Sequence, residues 1–433
     1  MSSSITHSVS GLIADPMQSE DLHSAIPVAP ILVLLPDSDV SHRVAAEGDE
    51  PIVLGLGLVR RTVMAASRAG YSQIYLLVRD QVAPPAIATV RDWSSLATAF
   101  PSHQRAPLII AHAAIVGESE WLKQLTAARI EPDMWAAIPY RILMLTAATV
   151  PRALAVLEAE KAYDLTAAQN QLTHHLGPPA QIPAAIDPMA VVASTDVDAA
   201  EWRLLRGLVK DTDGFMARHV ERPISLRIAR RLASTGVTPN QITLLSVGIG
   251  LCGAPFFIST HWLWQTVGAL LFLAHSILDG CDGELARLRF QESRFGGIID
   301  YWGDNVVHIV VFACMAVGWS HFIAASWPLL LGVTAALGNF GSAWLVYWRV
   351  MHRKKESGPL FTSVATVPGQ RLVQLLDAAT RRDFIYLVLI FALFGKANWF
   401  LLLASVGAPI FFFLLVFLAV RERFADRVAM SGG

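Results

Sequence analysis

His275-Ser276-Ile277-Leu278-Asp279-Gly280-Cys281-Asp282-Gly283-Glu284-Leu285-Ala286-Arg287 carries three acids out of one apolar stretch, and Gly296, Asp300 and Asp304 follow in the next. Even on the mildest scale an ionised side chain at the centre of a membrane helix costs roughly 2.5–3.5 kcal/mol, so acids here imply function or strong pairing. At ~100° per residue, Asp279, Asp282, Gly283, Ala286 and Arg287 share one face of a helix, and Gly296, Asp300 and Asp304 share a face of the next. A short basic turn between two such helices brings four carboxylates to one point near the cytoplasmic surface.

Four carboxylates together repel one another and take up protons unless cations are present. Oxygen ligands favour Mg2+ or Mn2+, and no His/Cys cluster competes for a softer metal. Two such ions could bridge a pyrophosphate and stabilise both the attacking and leaving oxygens. Gly283 and Gly296 let a bulky nucleotide approach the backbone, Ala286 adds clearance, and Arg287 has the fork geometry for a phosphate oxygen.

Outward from this segment the chain divides. Of its 433 residues 54% are hydrophobic and only 16% charged, against roughly 25% charged in soluble domains. After Asn240 there are six apolar stretches near the ~20 residues that cross a bilayer: 242–259, 262–278, 297–318, 327–347, 384–394 and 399–420. Arg287, Arg289 and Arg294, then Arg353, Lys354, Lys355, Arg381 and Arg382, then Arg421, Arg423 and Arg427 fall on alternate connections. The positive-inside rule therefore sets both termini and the acidic cluster on the cytoplasmic side. Before the first span, 215–233 mixes Arg218, Arg222, Arg227, Arg230 and Arg231 with apolar residues, as would an amphipathic helix lying among lipid phosphates or, equally, an ordinary charged helix beneath the membrane domain. Thr238-Pro239-Asn240-Gln241-Ile242-Thr243 reads as a helix start.

The N-terminal half alternates short apolar runs (Ile31 to Leu35, Gln73 to Val78, Leu108 to Val116, Arg141 to Leu145) with amphipathic stretches, which predicts a layered α/β domain with a mainly parallel sheet. The expected organisation is a disordered leader over 1–29, the α/β domain over 30–205, a juxtamembrane helix over 206–240 and an all-α transmembrane domain of six helices over 241–425. A leader without a signal-peptide pattern keeps the first domain in the cytoplasm. A net charge of -1 argues against nucleic acid as a partner. The three cysteines, Cys252, Cys281 and Cys314, have no metal spacing.

The order Asp-x2-Asp-Gly-x2-Ala-Arg-x8-Gly-x3-Asp-x3-Asp, from Asp279 to Asp304, is similar at every defined position to the signature of the CDP-alcohol phosphotransferases. The resemblance covers about Asp211 to Val420. It implies a membrane transferase that takes a CDP-alcohol donor and an acceptor alcohol and releases CMP. By it Asp279, Asp282 and Asp300 would hold the metals, with Asp304 a further ligand or the general base, and Gly283, Ala286, Arg287 and Gly296 would line the CDP site. Arg294, Arg349 and Arg353 border predicted span ends and are candidates for an acceptor phosphate. His308, one turn after Asp304, is ranked above His275 as a neighbour of the site.

The first half, with Arg60-Arg61-Thr62, Gly70-Tyr71-Ser72 and Asp196-Val197-Asp198, resembles the cytidylyltransferase half of bifunctional inositol-phosphate cytidylyltransferase and di-inositol-phosphate-phosphate synthases. That implies a nucleotidyltransferase-like domain and, for the membrane half, CDP-inositol with inositol phosphate. Its site departs from the pattern. The phosphate loop reads Pro36-Asp37-Ser38-Asp39-Val40, without glycine and with two acids, and Ala111-His112-Ala113-Ala114-Ile115 lacks a metal-binding aspartate. One of two metal positions survives only as Asp196/Asp198, so the domain is expected to be inactive. A phospholipid synthase using CDP-diacylglycerol is the alternative donor reading, and a transporter with an intramembrane acidic site is the alternative of another class. Gly338, Gly341, Ser342 and Ala343 form a small-residue stripe suited to helix packing or to a homodimer face. The expected location is a bacterial or archaeal cell membrane, with membrane lipid as a further partner.

Overall fold

The computed structural model of the chain describes residues 29–35, 51–77, 88–99, 106–128, 130–182, 186, 188–191, 194–209, 213–351 and 384–431. The expected leader, the Pro36–Val40 loop, Arg353 and the basic residues at 354, 355, 381 and 382 lie outside them. Two compact units emerge: residues 1–49 with 65–190, and residues 50–64 with 191–433.

The first unit is built on a seven-stranded sheet. Its strands are β1 (Ile31–Leu35), β4 (Gln73–Leu77), β5 (Ala88–Val90), β6 (Leu108–His112), β7 (Trp135–Ile138), β8 (Ile142–Leu145) and β9 (Ala180–Gln181), ordered β5-β4-β1-β6-β8-β7-β9. All five residues of β1 are buried, as befits a central strand covered on both faces. β1 pairs parallel with β4 and β6, and β4 with β5. The sheet is mainly parallel as expected, with β7 also parallel to β9, but it is mixed, because β8 runs antiparallel to both β6 and β7. Only Pro139, Tyr140 and Arg141 separate β7 from β8, too few for the crossover that a parallel pair demands. Tyr140 takes the turn at φ 59, and no Asn-Gly or Asp-Gly announced it. Helices α2 (Trp93–Ala99), α3 (Ser119–Ala127), α4 (Val150–Ala159) and α5 (Leu165–Leu176) accompany this sheet. Leu154, Leu157 and Leu172 pack with Val33, Ile110 and Leu143 around the buried rings of Trp93 and Trp135.

The second unit is helical apart from a small hairpin of β2 (Ile52–Val53) and β3 (Leu56–Gly57), and α1 (Leu58–Ala69) spans the boundary between the units. It continues with α6 (Ser194–Arg206), a π-helical turn at Ala217–Glu221 and α7 (Arg222–Ala233). Then follow α8 (Pro239–Gly253), α9 (Trp262–Leu288), α10 (Arg294–Ile323), α11 (Trp327–Val346), α12 (Phe384–Leu393) and α13 (Ala397–Ser431). Thr238 and Gln241 close a reciprocal capping box at the start of α8.

Among the described residues four segments are long and apolar enough to cross a membrane: Pro239–Ile258, Arg294–Ile323, Trp327–Arg349 and Ala397–Arg421. The chain is an integral membrane protein. The remaining two expected spans fall on α9, diluted by Gln265, His275, Asp279, Asp282 and Glu284, and on α12, which has ten residues. Phe257, Phe272, Val311, Phe312, Ile385 and Phe400 join several of these helices in one apolar core. Leu244, Leu330, Leu337, Phe413 and Phe417 point outward, as lipid contact requires.

Two expectations shift here. The stripe on α11 is filled from within the chain, because a methyl added at Gly338 would lie 2.6 Å from the backbone nitrogen of Pro409 on α13, and one at Gly341 would meet the ring of Phe412. The juxtamembrane arginines also divide: Arg218, Arg227 and Arg231 are exposed, whereas Arg222 and Arg230 pair with acids of the protein and are not left to lipid.

Candidate active site

Helix α9 runs nine residues beyond Asp279, so the acidic segment is a continuation of the apolar helix and not the loop after it. The chain then turns through Phe290 at φ 59, and Ser293 caps α10 by accepting from the Gly296 amide at 3.0 Å. This tight hairpin sets Asp279 and Asp282 of α9 against Asp300 of α10. One carboxylate oxygen from each lies within 4.8 Å of the others. Asp279 and Asp282 are 5% exposed, and Asp300 is partly buried.

This donor set suits a hard divalent cation. Mg2+ holds oxygens at about 2.0–2.1 Å, so ligands on opposite sides of one ion are about 4 Å apart, close to the observed spread. Three carboxylates this close, two of them buried, repel one another without such a charge among them. Asp304, one turn beyond Asp300, stands outside the trio. Its Oδ1 lies 3.4 Å from Nε2 of His275, which is 2% exposed.

That contact reverses the ranking of the two histidines. His308 packs its ring 5.5 Å from those of Phe272 and Phe384, whereas His275 reaches the acid. The signal was present in the sequence, since a residue four before Asp279 lies within about 40° of it around a helix. Thr243 on α8 was missed as a site residue although its segment was singled out. Its buried hydroxyl donates to Oδ2 of Asp282.

The two glycines differ. A methyl at Gly283 would meet only the Arg287 guanidinium, at 3.5 Å, which leaves that side of α9 open to a ligand. A methyl at Gly296 would lie 2.7 Å from Oδ1 of Asn240 and 3.0 Å from Oγ of Ser293, side-chain ends that would have to turn aside, so Gly296 sits where α8 comes close to the start of α10. Ala286 and Arg287 are partly buried on α9. Arg294 is exposed at the first position of α10, and Arg349 is partly buried in the π-helical turn Tyr347–Met351. Arg289, read as a topology signal, has a second task. Its guanidinium donates to the carbonyls of Leu232, Ala233, Thr235 and Val237, closing the C-terminus of α7.

The N-terminal half presents no comparable cluster among the described residues. β6 ends at His112, whose Nδ1 accepts from the Ala114 amide at 3.0 Å. Asp196 and Asp198, expected as the remnant of a metal position, lie on α6 in the second unit, where Asp198 and Glu201 both bind Arg230.

Residues 236–409 match the family described as CDP-alcohol phosphatidyltransferase. The chain is 26% identical over 236 residues to the bifunctional IPC transferase and DIPP synthase of Aquifex aeolicus, covering 54% of this chain and 51% of that protein. It is 30% identical over 214 residues to the protein of the same name from Archaeoglobus fulgidus, covering 48% and 39%. To the phosphatidylinositol phosphate synthase of Mycobacterium bovis it is 28% identical over 192 residues, covering 44% of this chain and 85% of that one. The chain spans about half the length, or less, of the bifunctional relatives it matches.

Proposed function

We propose that the chain is a member of the CDP-alcohol phosphatidyltransferase family, which residues 236–409 match, and that it transfers a phosphoalcohol group from a CDP-alcohol to an acceptor alcohol, releasing CMP. The observation that carries this reading is the convergence of Asp279, Asp282 and Asp300 at a helix hairpin within a membrane protein.

Asp279, Asp282 and Asp300, with Asp304 adjoining them, would hold two Mg2+ or Mn2+ ions. Such ions would offset negative charge on the donor diphosphate and on the leaving CMP. Thr243 orients Asp282. The open side of Gly283, with Ala286 and Arg287 beside it, would receive the cytidine diphosphate, and Gly296 serves by letting α8 close on α10. Asp304 takes the proton of the acceptor hydroxyl, whose oxygen attacks the β-phosphorus in line as the bond to CMP breaks. His275 holds the Asp304 carboxylate from behind. Arg294, Arg349 and Arg353 are the proposed contacts of an acceptor phosphate.

For topology we propose six spans, the four apolar segments together with α9 and α12, with both termini and the site at the cytoplasmic face of a bacterial or archaeal membrane. A homodimer, if formed, would use a face other than the α11 stripe. We propose CDP-inositol and inositol phosphate as the substrate pair, supported by the bifunctional relatives. The match to 85% of a phosphatidylinositol phosphate synthase favours CDP-diacylglycerol as the second donor to try. The sheet domain is proposed as a catalytically silent nucleotidyltransferase-like fold, given the absence of an acid between Ala111 and Ile115.

The test is CMP release by the purified chain, with Mg2+ or Mn2+, from CDP-inositol and CDP-diacylglycerol against inositol and inositol phosphate. Turnover should vanish with chelator and return with either metal. No CMP from any pair would sink the proposal and favour a transport role for the acidic site.

A further inference from the structure

On the side of α9 turned away from the acid trio, Glu284 is fully buried. Its Oε1 accepts from NH1 of Arg222 at 2.7 Å and from Oγ of Ser225 at 2.8 Å. Arg222 in turn donates through Nε and NH2 to the two oxygens of Asp213, at 2.9 and 3.0 Å. Two further contacts tie the same elements together: Ser276 donates to Oε2 of Glu221 at 3.2 Å, and the Cys281 thiol donates to the Ser225 carbonyl at 3.4 Å. Gly280 lies beneath this contact, with nearest neighbours Arg222 and Ser225 where a Cβ would stand.

The arrangement has a helical logic. Around α9, Glu284 stands ~140° from Asp279 and ~160° from Asp282, so it grips the rear of the turn whose front carries the ligands. The π-helical turn at Ala217–Glu221 supplies the register on the other partner. Insertion of such a turn changes which residues face a neighbour, and here the consecutive Glu221 and Arg222 both reach α9. In front, the Thr243 hydroxyl fixes Asp282. The acidic turn is therefore held on both sides, by neutral and charged hydrogen bonds that do not themselves involve Asp279 or Asp300.

We infer that Asp213, Arg222, Ser225 and Glu284 form a clamp that sets the rotation of α9, with Glu284 and Arg222 as positioning residues for the carboxylates Asp279 and Asp282. This rests on the proposed transferase reading for its catalytic consequence, though the clamp itself acts on the geometry of the acid trio. A buried charge stripped of its partner is costly, and removing Arg222 and Glu284 together spares the fully buried Glu284 that cost and leaves only the less buried Asp213 without Arg222, so the double variant keeps the inference testable if a single one folds poorly.

The experiment compares full-length wild type with Glu284→Gln, Arg222→Gln, the double variant and Arg222→Lys in detergent. Melting temperature, Mn2+ binding followed by electron paramagnetic resonance, and kcat and KM for CMP release are measured. Each glutamine variant should lose roughly 10–100-fold in kcat, the scale that a misplacement of about 1 Å brings, and should bind Mn2+ more weakly. Acceptor KM should stay within about threefold. The double variant should be no worse than the poorer single one, since the two act as one unit, and Arg222→Lys should recover part of the loss. Wild-type kcat and Mn2+ affinity in Glu284→Gln would overturn the clamp. So would a defect in Glu284→Gln with none in Arg222→Gln, which would make Glu284 a direct ligand. Wild-type protein that binds Mn2+ but releases no CMP would sink the transferase reading alone, leaving the clamp to be judged on Mn2+ affinity.

Discussion

The sheet unit and the helical unit bury different things. Among the described residues of the first, Tyr71 and Thr149 are the two buried side chains that are charged or carry a hydroxyl or amide. In the second, Asp279, Asp282, Glu284, Glu221, His275, Thr243 and Ser225 are all buried, in contact with one another's elements. Burying an acid is unfavourable unless a partner or cation repays it, so the helical unit has given up apolar packing where the sheet unit has not. The described interior of the sheet unit is almost wholly apolar, and the proposed site lies where the interior is polar.

Replacing Asp304 by Asn tests the polar side of this contrast most severely. Turnover should fall by on the order of 10^2–10^4-fold, the usual worth of a positioned base, while binding of the CDP donor persists. Wild-type CMP release by this variant would remove Asp304 from the chemistry. On the apolar side, Leu34→Ala in the central strand should cost the sheet unit about 2–5 kcal/mol, read from its unfolding transition, with CMP release by the folded protein unchanged. A loss of kcat there would mean that the sheet unit does more than fold. The smallest effect belongs to Asp92, whose carboxylate caps α2 by accepting from the Ser95 amide at 2.6 Å and the Ser94 hydroxyl at 2.8 Å. Those hydrogen bonds, from Ser95 first, hold its pKa below the ordinary carboxylate value. Because the folded-state pKa is the depressed one, the contribution is present above the unfolded pKa and lost as pH falls through the folded one. Asp92→Ala should therefore lower the melting temperature slightly at neutral pH and not at all in strong acid, and equal shifts at both would refute the cap.

Legibility in the sequence followed periodicity. The acid spacing predicted a shared helical face, and the trio of Asp279, Asp282 and Asp300 meets as that spacing requires. His275 was legible by the same rule and was ranked too low, because a lone apolar-face histidine carries no partner in its own sequence. The hairpin of β7 and β8 was hard to read, since Pro139 suits the second position of the Ile138–Arg141 turn but Tyr140, at φ 59, stands where glycine or asparagine usually announces a left-handed residue. The sequence left Arg222 and Arg230 undecided between lipid and protein, because a basic amphipathic pattern does not say whether its charges meet phosphate or carboxylate.

The sequence by itself determined that this chain enters a membrane, where its acids stand along two successive helices, and that their oxygens are of the kind a hard cation prefers. These follow from local spacing and from the cost of charge in lipid, which need no knowledge of the rest of the fold. Only the tertiary structure decided that Thr243 and Glu284 hold α9 from opposite sides, that His275 faces Asp304, and that Gly338 is filled by α13. Each of these depends on which face of a helix meets which neighbour, and contacts between residues 29 to 71 positions apart leave no periodic trace in either segment.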